Sequence, residues 1–440
     1  MYNIIEFGAK SDMNVNSTAA VQKAIDTCKE AGGGTVFVPT GKYVIASLIL
    51  CSNLHFVFEA GAYFYGSKNV DDFNPREAVD YPLYQDPTHS YFEHSMFFAE
   101  NCSNISFTGF GTIDMQSVWE NVPTPGAKEW SNRRAAKIFS FKRCCDIVVS
   151  DLKLLKCTDV AVYFAGCERV KVTRLTIDTN IDAISPDCCK DVTISDCFVR
   201  SGDDGIVIKS SYCLNEKRLC ENVTVTNCTV SSRCNAIKLG TESNGGYKNI
   251  TISNCTVYNT YMSGVALEIT DGGDLDGVVV DNIAMKNVGT PLYVILSDRR
   301  RGPEGTQLGT LKNVVISNVT AIGPYDEPWV APQLTALWEG ERMCVTEVIA
   351  SSITGHKDRK IENITLSNIT LSVPGGGCEE DREVVVPENE KMYPNSDAFG
   401  KILPASGIFF RHVKNLNLEN VNVVTEKEDK RDGLVFEDVE

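Results

Sequence analysis

The chain has 440 residues, of which 43% are hydrophobic and 23% are charged, so it is long enough to bury a large core. Its formal net charge of −16 disfavours nucleic acid and anionic membrane surfaces as partners, because both attract a positively charged protein face. No segment approaches the roughly 18 consecutive apolar residues of a membrane span, and we expect no membrane partner.

The N-terminal segment predicts an amphipathic helix followed by a strand. Ser17 or Thr18 is suited to capping a helix that runs to about Ala31. Apolar positions at helical spacing share one face: Val21, Ala24, Ile25 and Cys28. The glycines of 32–34 end the helix, and residues 35–39 return as a strand. Such a helix would cap the open end of the repeat that follows.

The same terminus and the cysteines bear on the cellular compartment. Residues 1–6 lack a basic segment followed by an apolar run, so we expect a cytoplasmic protein, or one whose signal was removed. Seventeen cysteines is an odd number, and several recur at one position of a repeat. This pattern indicates small buried side chains rather than a disulfide framework.

A phrase of the form Cys-x-Asn-Val-x-Ile-x-Asn-Cys-x-Val recurs along the chain, most clearly from Cys189, Cys220 and Tyr247. The first apolar residues of successive copies are Ile147, Val170, Val192, Val223, Ile250, Val278, Val314, Ile364 and Leu416. Alternation with period two inside each copy is typical of a strand. Their spacings of 23, 22, 31, 27, 28, 36, 50 and 52 residues predict an all-β solenoid, because propeller blades need about 40 residues each. The repeated Asn predicts an inward-facing side-chain ladder at a turn.

Three aspartates on neighbouring coils are the strongest candidates for catalysis. Asp182 lies in the run 180–187, and Asp203 and Asp204 lie in a Gly-Asp-Asp-Gly run. Asp182 and Asp204 are 22 residues apart, which matches one coil, and stacked coils lie about 4.8 Å apart. Glycosidic hydrolysis needs one carboxylic acid to protonate the leaving oxygen and a carboxylate to activate water. The alternative is that Gly-Asp-Asp-Gly is a solvated turn, and spacing alone leaves both interpretations open.

The stretch 180–210 resembles the signature of glycoside hydrolase family 28, the polygalacturonase family, which reads Asn-Thr-Asp-Gly-Ile-Asp-Pro and then Gly-Asp-Asp-Cys-Ile-Ala-Ile-Lys-Ser. Residues 7–10, 32–39 and 109–114 are similar to other segments of that family. The resemblance implies one right-handed parallel β-helix and inverting hydrolysis without metal or cofactor. It also implies that Asp203 is the general acid, while the other two aspartates position and deprotonate water.

The chain departs from the family where substrate is bound. Asn235 occupies the position of the family's histidine, and an amide cannot titrate. The family's Arg-Ile-Lys, which binds the galacturonate carboxylate, falls on Ala266-Leu267-Glu268. A carboxylate clamp needs cationic donors, so Glu268 favours a neutral or deoxy sugar. The residues predicted to contact substrate are Asn180, Lys209, Asn235, Lys238, Glu242, Glu268 and Arg411.

We expect one domain spanning 1–440, interrupted by loop insertions near 66–100, 321–358 and 371–410. Aromatic residues on these insertions, among them Trp338 and Tyr393, could stack on sugar rings and wall off one end of a groove. The sequence therefore predicts an exo-acting, inverting glycosidase that releases a neutral or deoxy sugar from a plant-type glycoside or a pectin-derived oligosaccharide. The alternatives are an exo-polygalacturonase acting on oligogalacturonides, and a non-catalytic glycan-binding β-helix.

Overall fold

A computed structural model describes residues 1–118, 136–325, 329–330, 342–343 and 348–440 of the chain. The described residues form two compact units. The first comprises 1–118, 136–202 and 213–216, and the second comprises the rest. None of the helices in the described ranges is long and apolar enough to cross a membrane. The assignment of 1–440 to one domain stays a prediction, and Trp338 lies outside the described residues.

The first unit consists of short strands, one α-helix and three 3-10 helices. The helices are α1 Thr18–Glu30 and the 3-10 turns Ile4–Phe7, Val70–Asp72 and Pro87–His89. The strands are β1 Tyr2–Asn3, β2 Gly34–Val38, β3 Gly41–Ile45, β4 Leu48–Ile49, β5 Leu54–Phe58, β6 Ala62–Gly66, β7 Ser95–Glu100, β8 Ser103–Gly109, β9 Thr112–Asp114, β10 Lys137–Lys142, β11 Cys145–Ser150, β12 Lys153–Leu155, β13 Val162–Ala165, β14 Glu168–Thr173, β15 Thr176–Thr179, β16 Ile184–Asp187, β17 Lys190–Ser195 and β18 Phe198–Ser201.

The second unit has fewer but longer strands. They are β19 Ile206–Ser210, β20 Cys220–Thr226, β21 Thr229–Ser232, β22 Ile237–Ser243, β23 Tyr247–Ile269, β24 Asp274–Leu296, β25 Thr310–Ile322, β26 Trp329–Val330, β27 Arg342–Met343, β28 Ser351–Thr354, β29 Ile361–Val373, β30 Ala405–Thr425 and β31 Asp432–Val439. One short helix, α2 Glu379–Arg382, follows β29. Strands β26 and β27 pair antiparallel.

Helix α1 buries the predicted face but is capped differently from the prediction. Its buried residues are Val21, Ala24, Ile25 and Cys28. Neither the Ser17 nor the Thr18 side chain accepts a hydrogen bond from the free backbone N–H groups at the start of the helix. Instead the Asn16 Oδ1 atom accepts hydrogen bonds from the Thr18 backbone N–H at 2.9 Å and the Thr18 hydroxyl at 2.6 Å. The Ser17 hydroxyl accepts a bond from the Lys10 N–H, because the chain preceding the helix folds back over it.

The predicted repeat sets the register of the coils within each unit. In the first unit Ile147 pairs with Val170, which pairs with Val192. In the second unit the parallel pairs follow the predicted order: Val223–Ile250, Ile250–Val278, Val278–Val314, Val314–Ile364 and Ile364–Leu416. All of these side chains are buried except Leu416, which is half-buried, so the stacked apolar row is the core that the alternation predicted.

The asparagine ladder exists, but the prediction that it faces inward is wrong. The Asn249 Nδ2 atom donates to Asn222 Oδ1 at 2.8 Å, and Asn282 donates likewise to Asn254. Asn249 is exposed and has φ of 55°, and Asn222 has φ of 56°. Asn is favoured at such turns because it tolerates the left-handed conformation better than other residues with a Cβ atom. The ladder therefore stabilises exposed corners rather than the core.

Candidate active site

The candidate residues are divided between the two units. Asn180 and Asp182 belong to the first unit, between β15 and β16, and the remaining eight belong to the second. Asp182 is buried, and its Oδ2 atom lies 4.0 Å from the Nε2 atom of His89. The Asn180 amide donates to the Ser117 hydroxyl at 3.4 Å.

His89 is a neighbour of Asp182 that the sequence reasoning missed. It ends the 3-10 helix Pro87–His89 in the predicted 66–100 insertion. Its ring packs edge-on against Tyr163 with 5.2 Å between centroids, and its backbone oxygen accepts a bond from the Tyr163 hydroxyl. The only signal in the sequence was the scarcity of histidine, since the chain has five. A histidine beside Asp182 adds a titratable group to this part of the site.

Asp203 and Asp204 immediately precede β19 and differ in exposure. Asp204 is buried, whereas Asp203 is partly exposed, and the Asp203 backbone oxygen accepts a bond from the Ser232 hydroxyl. The Oδ1 atom of Asp204 accepts bonds from the Asn235 backbone N–H at 3.0 Å and the Asn235 Nδ2 atom at 2.8 Å. Asn235 therefore orients one catalytic candidate, a role that an amide performs without titrating.

Lys238 lies between two buried carboxylates. Its Nζ atom is 3.3 Å from Asp204 Oδ2 and 3.6 Å from Glu268 Oε2. Burial lowers the pKa of Lys238, but Asp204 and Glu268 together raise it well above the ordinary value of a lysine. Burial raises the pKa of Glu268 to about 7, against the opposing effect of Lys238. One cation is thus shared by two acids that sit on the coils on either side of its own.

We predict that a Glu268→Gln variant becomes more stable relative to the parent as the pH rises. The unfolded carboxyl titrates near 4.5 and the folded one near 7. Between these values the folded state keeps a proton that the unfolded state has lost, so the parent loses stability as pH rises through this window. The difference should reach roughly 3 kcal/mol at 1.36 kcal/mol per pKa unit.

Thermal unfolding of both proteins between pH 4 and pH 8 measures this effect. Glu362→Gln, which removes an exposed carboxylate on β29, serves as the matched control and should run parallel to the parent. If stability depended on pH in the same way for Glu268→Gln and the parent, the protonation of Glu268 would not be the cause of this pH dependence.

Two further ion pairs surround the same part of the second unit. The Lys209 Nζ atom lies 2.8 Å from Glu242 Oε2, and both side chains are buried. Arg299 donates through two nitrogens to the buried carboxylate of Asp271, one bond being 2.9 Å long. Lys209, Lys238 and Arg299 therefore each face a carboxylate of the protein, which already offsets their charge.

Arg411, predicted as a substrate contact, is fully buried and bonded to the backbone. Its guanidinium donates to the carbonyl oxygens of Val386 at 2.9 Å and Pro387 at 3.0 Å. It also lies 4.9 Å from the centre of the Phe399 ring. These contacts anchor a loop to β30, and a substrate contact by Arg411 stays a prediction.

That loop, residues 383–404, is here named the strap. Strap residues Val386, Phe399 and Leu403 pack into a hydrophobic cluster with Tyr293 and Phe409 of the sheet. The cluster continues a strand row in which consecutive coils place these residues in register: Lys238, Ala266, Tyr293, Ser352 and Phe409. Within the second unit, the strap therefore covers the face beyond Lys238.

A cysteine-containing cluster in the first unit has the residue types of a metal site. Asp187, Cys188 and Cys213 each bring one possible ligand atom to within 4.8 Å of the other two. A hydrogen bond with Cys213, together with burial, raises the pKa of Cys188 well above that of an ordinary thiol. Metals bind the thiolate, so we assign no metal here. Most cysteines of the described residues are buried, as the repeat predicted.

The model of glycosyl hydrolases family 28 matches residues 37–329. A probable polygalacturonase from Vitis vinifera is 25% identical over 309 residues, which are 65% of this chain and 61% of that protein, so the chain spans less than two thirds of that relative. An endo-polygalacturonase from Pectobacterium carotovorum is 20% identical over 69% of this chain and 77% of its own length.

Solved structures show the same fold. An exopolygalacturonase from Thermotoga maritima superposes with a TM-score of 0.67 at 19% identity, covering 84% of this chain and 86% of its own. A family 28 exopolygalacturonase from Yersinia enterocolitica also gives 0.67, at 17% identity over 100% of this chain and 78% of its own. The predicted fold class, an all-β parallel β-helix of the pectin-lyase-like type, is confirmed.

Proposed function

The chain belongs to glycosyl hydrolases family 28, and from this premise we propose that it is an exo-acting glycosidase that releases a neutral or deoxy sugar. The observation that carries the substrate choice is the charge around Lys238. Glu268 occupies the position of a cation that the family resemblance assigns to binding a uronate carboxylate. It lies 3.6 Å from Lys238, which also faces Asp204. A uronate would bring a third carboxylate to this cation, and like charges in a buried site are destabilising.

The proposed reaction needs no metal or cofactor. Asp203 donates its proton to the glycosidic oxygen as the bond from that oxygen to the anomeric carbon breaks. Water attacks the anomeric carbon from the opposite face and gives its proton to the pair Asp182 and Asp204. Exchange with solvent then returns the proton to Asp203. These roles follow from the family resemblance, and the partial exposure of Asp203 supports its role as the acid, because the acid must reach the leaving group.

The strap supports exo action. An endo-acting enzyme needs a groove that lets a polymer pass on both sides of the cleaved bond. In the second unit the apolar contacts of Phe399 and Leu403 with the sheet occupy the face beyond Lys238 and Glu268. A chain bound at Lys238 would therefore end there, which favours removal of one terminal residue.

A second function, hydrolysis of oligogalacturonides, is favoured by the cations Lys209, Lys238 and Arg299 in the same region. The relatives from Vitis vinifera and Pectobacterium carotovorum are also named as polygalacturonases. Under this alternative, one of those cations would leave its carboxylate partner to bind the substrate. The two functions differ in which substrates are cleaved.

A panel of aryl glycosides of neutral sugars tests the substrate class. We predict that kcat/KM for at least one of them exceeds kcat/KM for galacturonate oligomers by at least about a hundredfold. Glu268→Gln should narrow this ratio, because it removes the repelling charge and keeps the side-chain volume. Cleavage of galacturonides alone would overturn the neutral-sugar proposal. Cleavage of no glycoside by a folded protein would favour the non-catalytic β-helix.

A further inference from the structure

Tyr393 places an aromatic ring at the edge of the proposed site. The residue belongs to the strap and is 45% exposed, although Val386 before it and Phe399 after it are buried. Its hydroxyl lies 3.0 Å from the hydroxyl of Thr241, which follows the Lys238 strand segment on β22. The ring centre is 5.9 Å from the Lys238 Nζ atom and 5.5 Å from the Arg299 guanidinium. An apolar surface thus borders two buried cations.

The strap holds this ring in a fixed position. The Glu390 carboxylate lies 2.9 Å from Lys357, and the Glu390 backbone oxygen accepts a bond from the Asp298 N–H at 2.7 Å. The Asn389 amide donates to the Ala398 carbonyl at 2.6 Å and closes the loop that carries Tyr393. A preordered aromatic ring binds a ligand with little loss of conformational entropy. Tyr393 is therefore suited to binding a ligand as well as to packing within the strap.

Two buried side-chain atoms, one on Arg299 and one on Glu268, have no hydrogen bond within the described part of the chain. They are Arg299 Nη1, a donor, and Glu268 Oε2, an acceptor that has only the ion pair with Lys238. Buried polar atoms are seldom left without hydrogen bonds, and a bound ligand or water is one explanation for such an exception. A donor, an acceptor and an aromatic face together match a sugar ring, which has hydroxyl groups at its edge and C–H groups on its faces.

We propose that Tyr393, Arg299 and Glu268 form the subsite for the terminal neutral pyranose ring, with the ring stacked on Tyr393. This inference rests on the proposed function and names the specificity-determining residues for it. Glu268 and Arg299 lie within the family match over 37–329, whereas Tyr393 lies beyond it, on the C-terminal strap. Glu268 would accept a bond from a hydroxyl and repel a carboxylate, so the same three residues select neutral rings.

The test is equilibrium binding of free monosaccharides, which does not depend on turnover. D-galactose, L-rhamnose, D-xylose and D-galacturonate are titrated against the parent by ligand-observed NMR. We expect at least one neutral sugar to bind more tightly than galacturonate. Tyr393→Ala should weaken that binding about tenfold, whereas Tyr393→Phe, which keeps the ring, should stay within about threefold. Met392→Ala, the exposed neighbouring residue, is the control and should bind like the parent.

Three results would overturn the inference. The first is that no neutral sugar binds the parent, and the second is that Tyr393→Ala binds like the parent. The third is that Tyr393→Phe loses as much as Tyr393→Ala, since the hydroxyl contact with Thr241 would then matter and the ring would not. Binding that depends on Tyr393 in a chain that cleaves no glycoside would contradict the proposed function alone.

Discussion

An Asp203→Asn variant is expected to lose at least about a thousandfold in kcat while retaining the parent's fold. The amide keeps the shape of the side chain but has no proton to give to the leaving oxygen. Asp203 is partly exposed, and its backbone oxygen, rather than its carboxyl, accepts the Ser232 bond, so the substitution leaves that contact intact. Initial rates on the best aryl glycoside of the panel, with the thermal unfolding curve of each protein, measure the effect.

Asp191→Asn provides the matched control for this variant. Asp191 lies at an exposed corner with φ of 56°, the kind of position that asparagine occupies elsewhere in the ladder. The change should therefore leave both rate and stability near those of the parent. If Asp203→Asn retained more than about a tenth of the parent rate on a substrate with a poor leaving group, Asp203 would not be the general acid.

A Lys238→Met variant is expected to be the most destabilising single change in the active-site region. Removing the cation leaves Asp204 and Glu268 buried without the charge that both of them face at under 4 Å. Breaking a buried ion pair in this way typically costs about 3–5 kcal/mol. The apparent Tm at pH 7 should fall by several degrees, and activity should fall with it because Asp204 loses a positioning contact.

The double variant Lys238→Met/Glu268→Gln separates the electrostatic cause from a packing cause. It removes one of the two uncompensated charges, so it should recover part of the lost stability at high pH. The gain should shrink as the pH falls, beginning above pH 7, because the loss of Lys238 raises the pKa of Glu268 further. Lys248→Met, on the exposed side of β23, should have little effect. A Lys238→Met protein as stable as the parent would show that the buried pair is not coupled in this way.

The sequence predicted the fold well because the repeat carries its own register. Ile250, Val278 and Val314 are separated by unequal numbers of residues, yet they align because the inserted loops leave each apolar phrase unchanged. The aspartate motifs were recognisable because they lie between copies of the repeated phrase, so the copies on either side locate them on neighbouring coils. The family membership that they indicated is shown by the match over 37–329.

Contacts made by inserted segments could not be predicted, because they join residues far apart in the chain without a periodic pattern. Arg411 and the Val386 carbonyl are 25 residues apart and meet only because the strap folds back over β30. His89 and Asp182 likewise meet through the 66–100 insertion. The cap of α1 depends on the path of the chain before the helix, so the first N–H of α1 bonds to the side chain of Asn16 rather than that of Ser17. The joint action of the three aspartates and the cytoplasmic location stay predictions.

The central claim is that a carboxylate at position 268 adapts a family 28 site to a neutral terminal sugar. The most direct test is the identity of the product that the parent releases from a mixture of pectin-derived oligosaccharides, followed by NMR from the first minutes of reaction. We predict that a single neutral or deoxy monosaccharide appears first and alone, while the remaining chains shorten by one residue at a time. Release of galacturonate, or of oligosaccharide fragments of two or more residues, would contradict it.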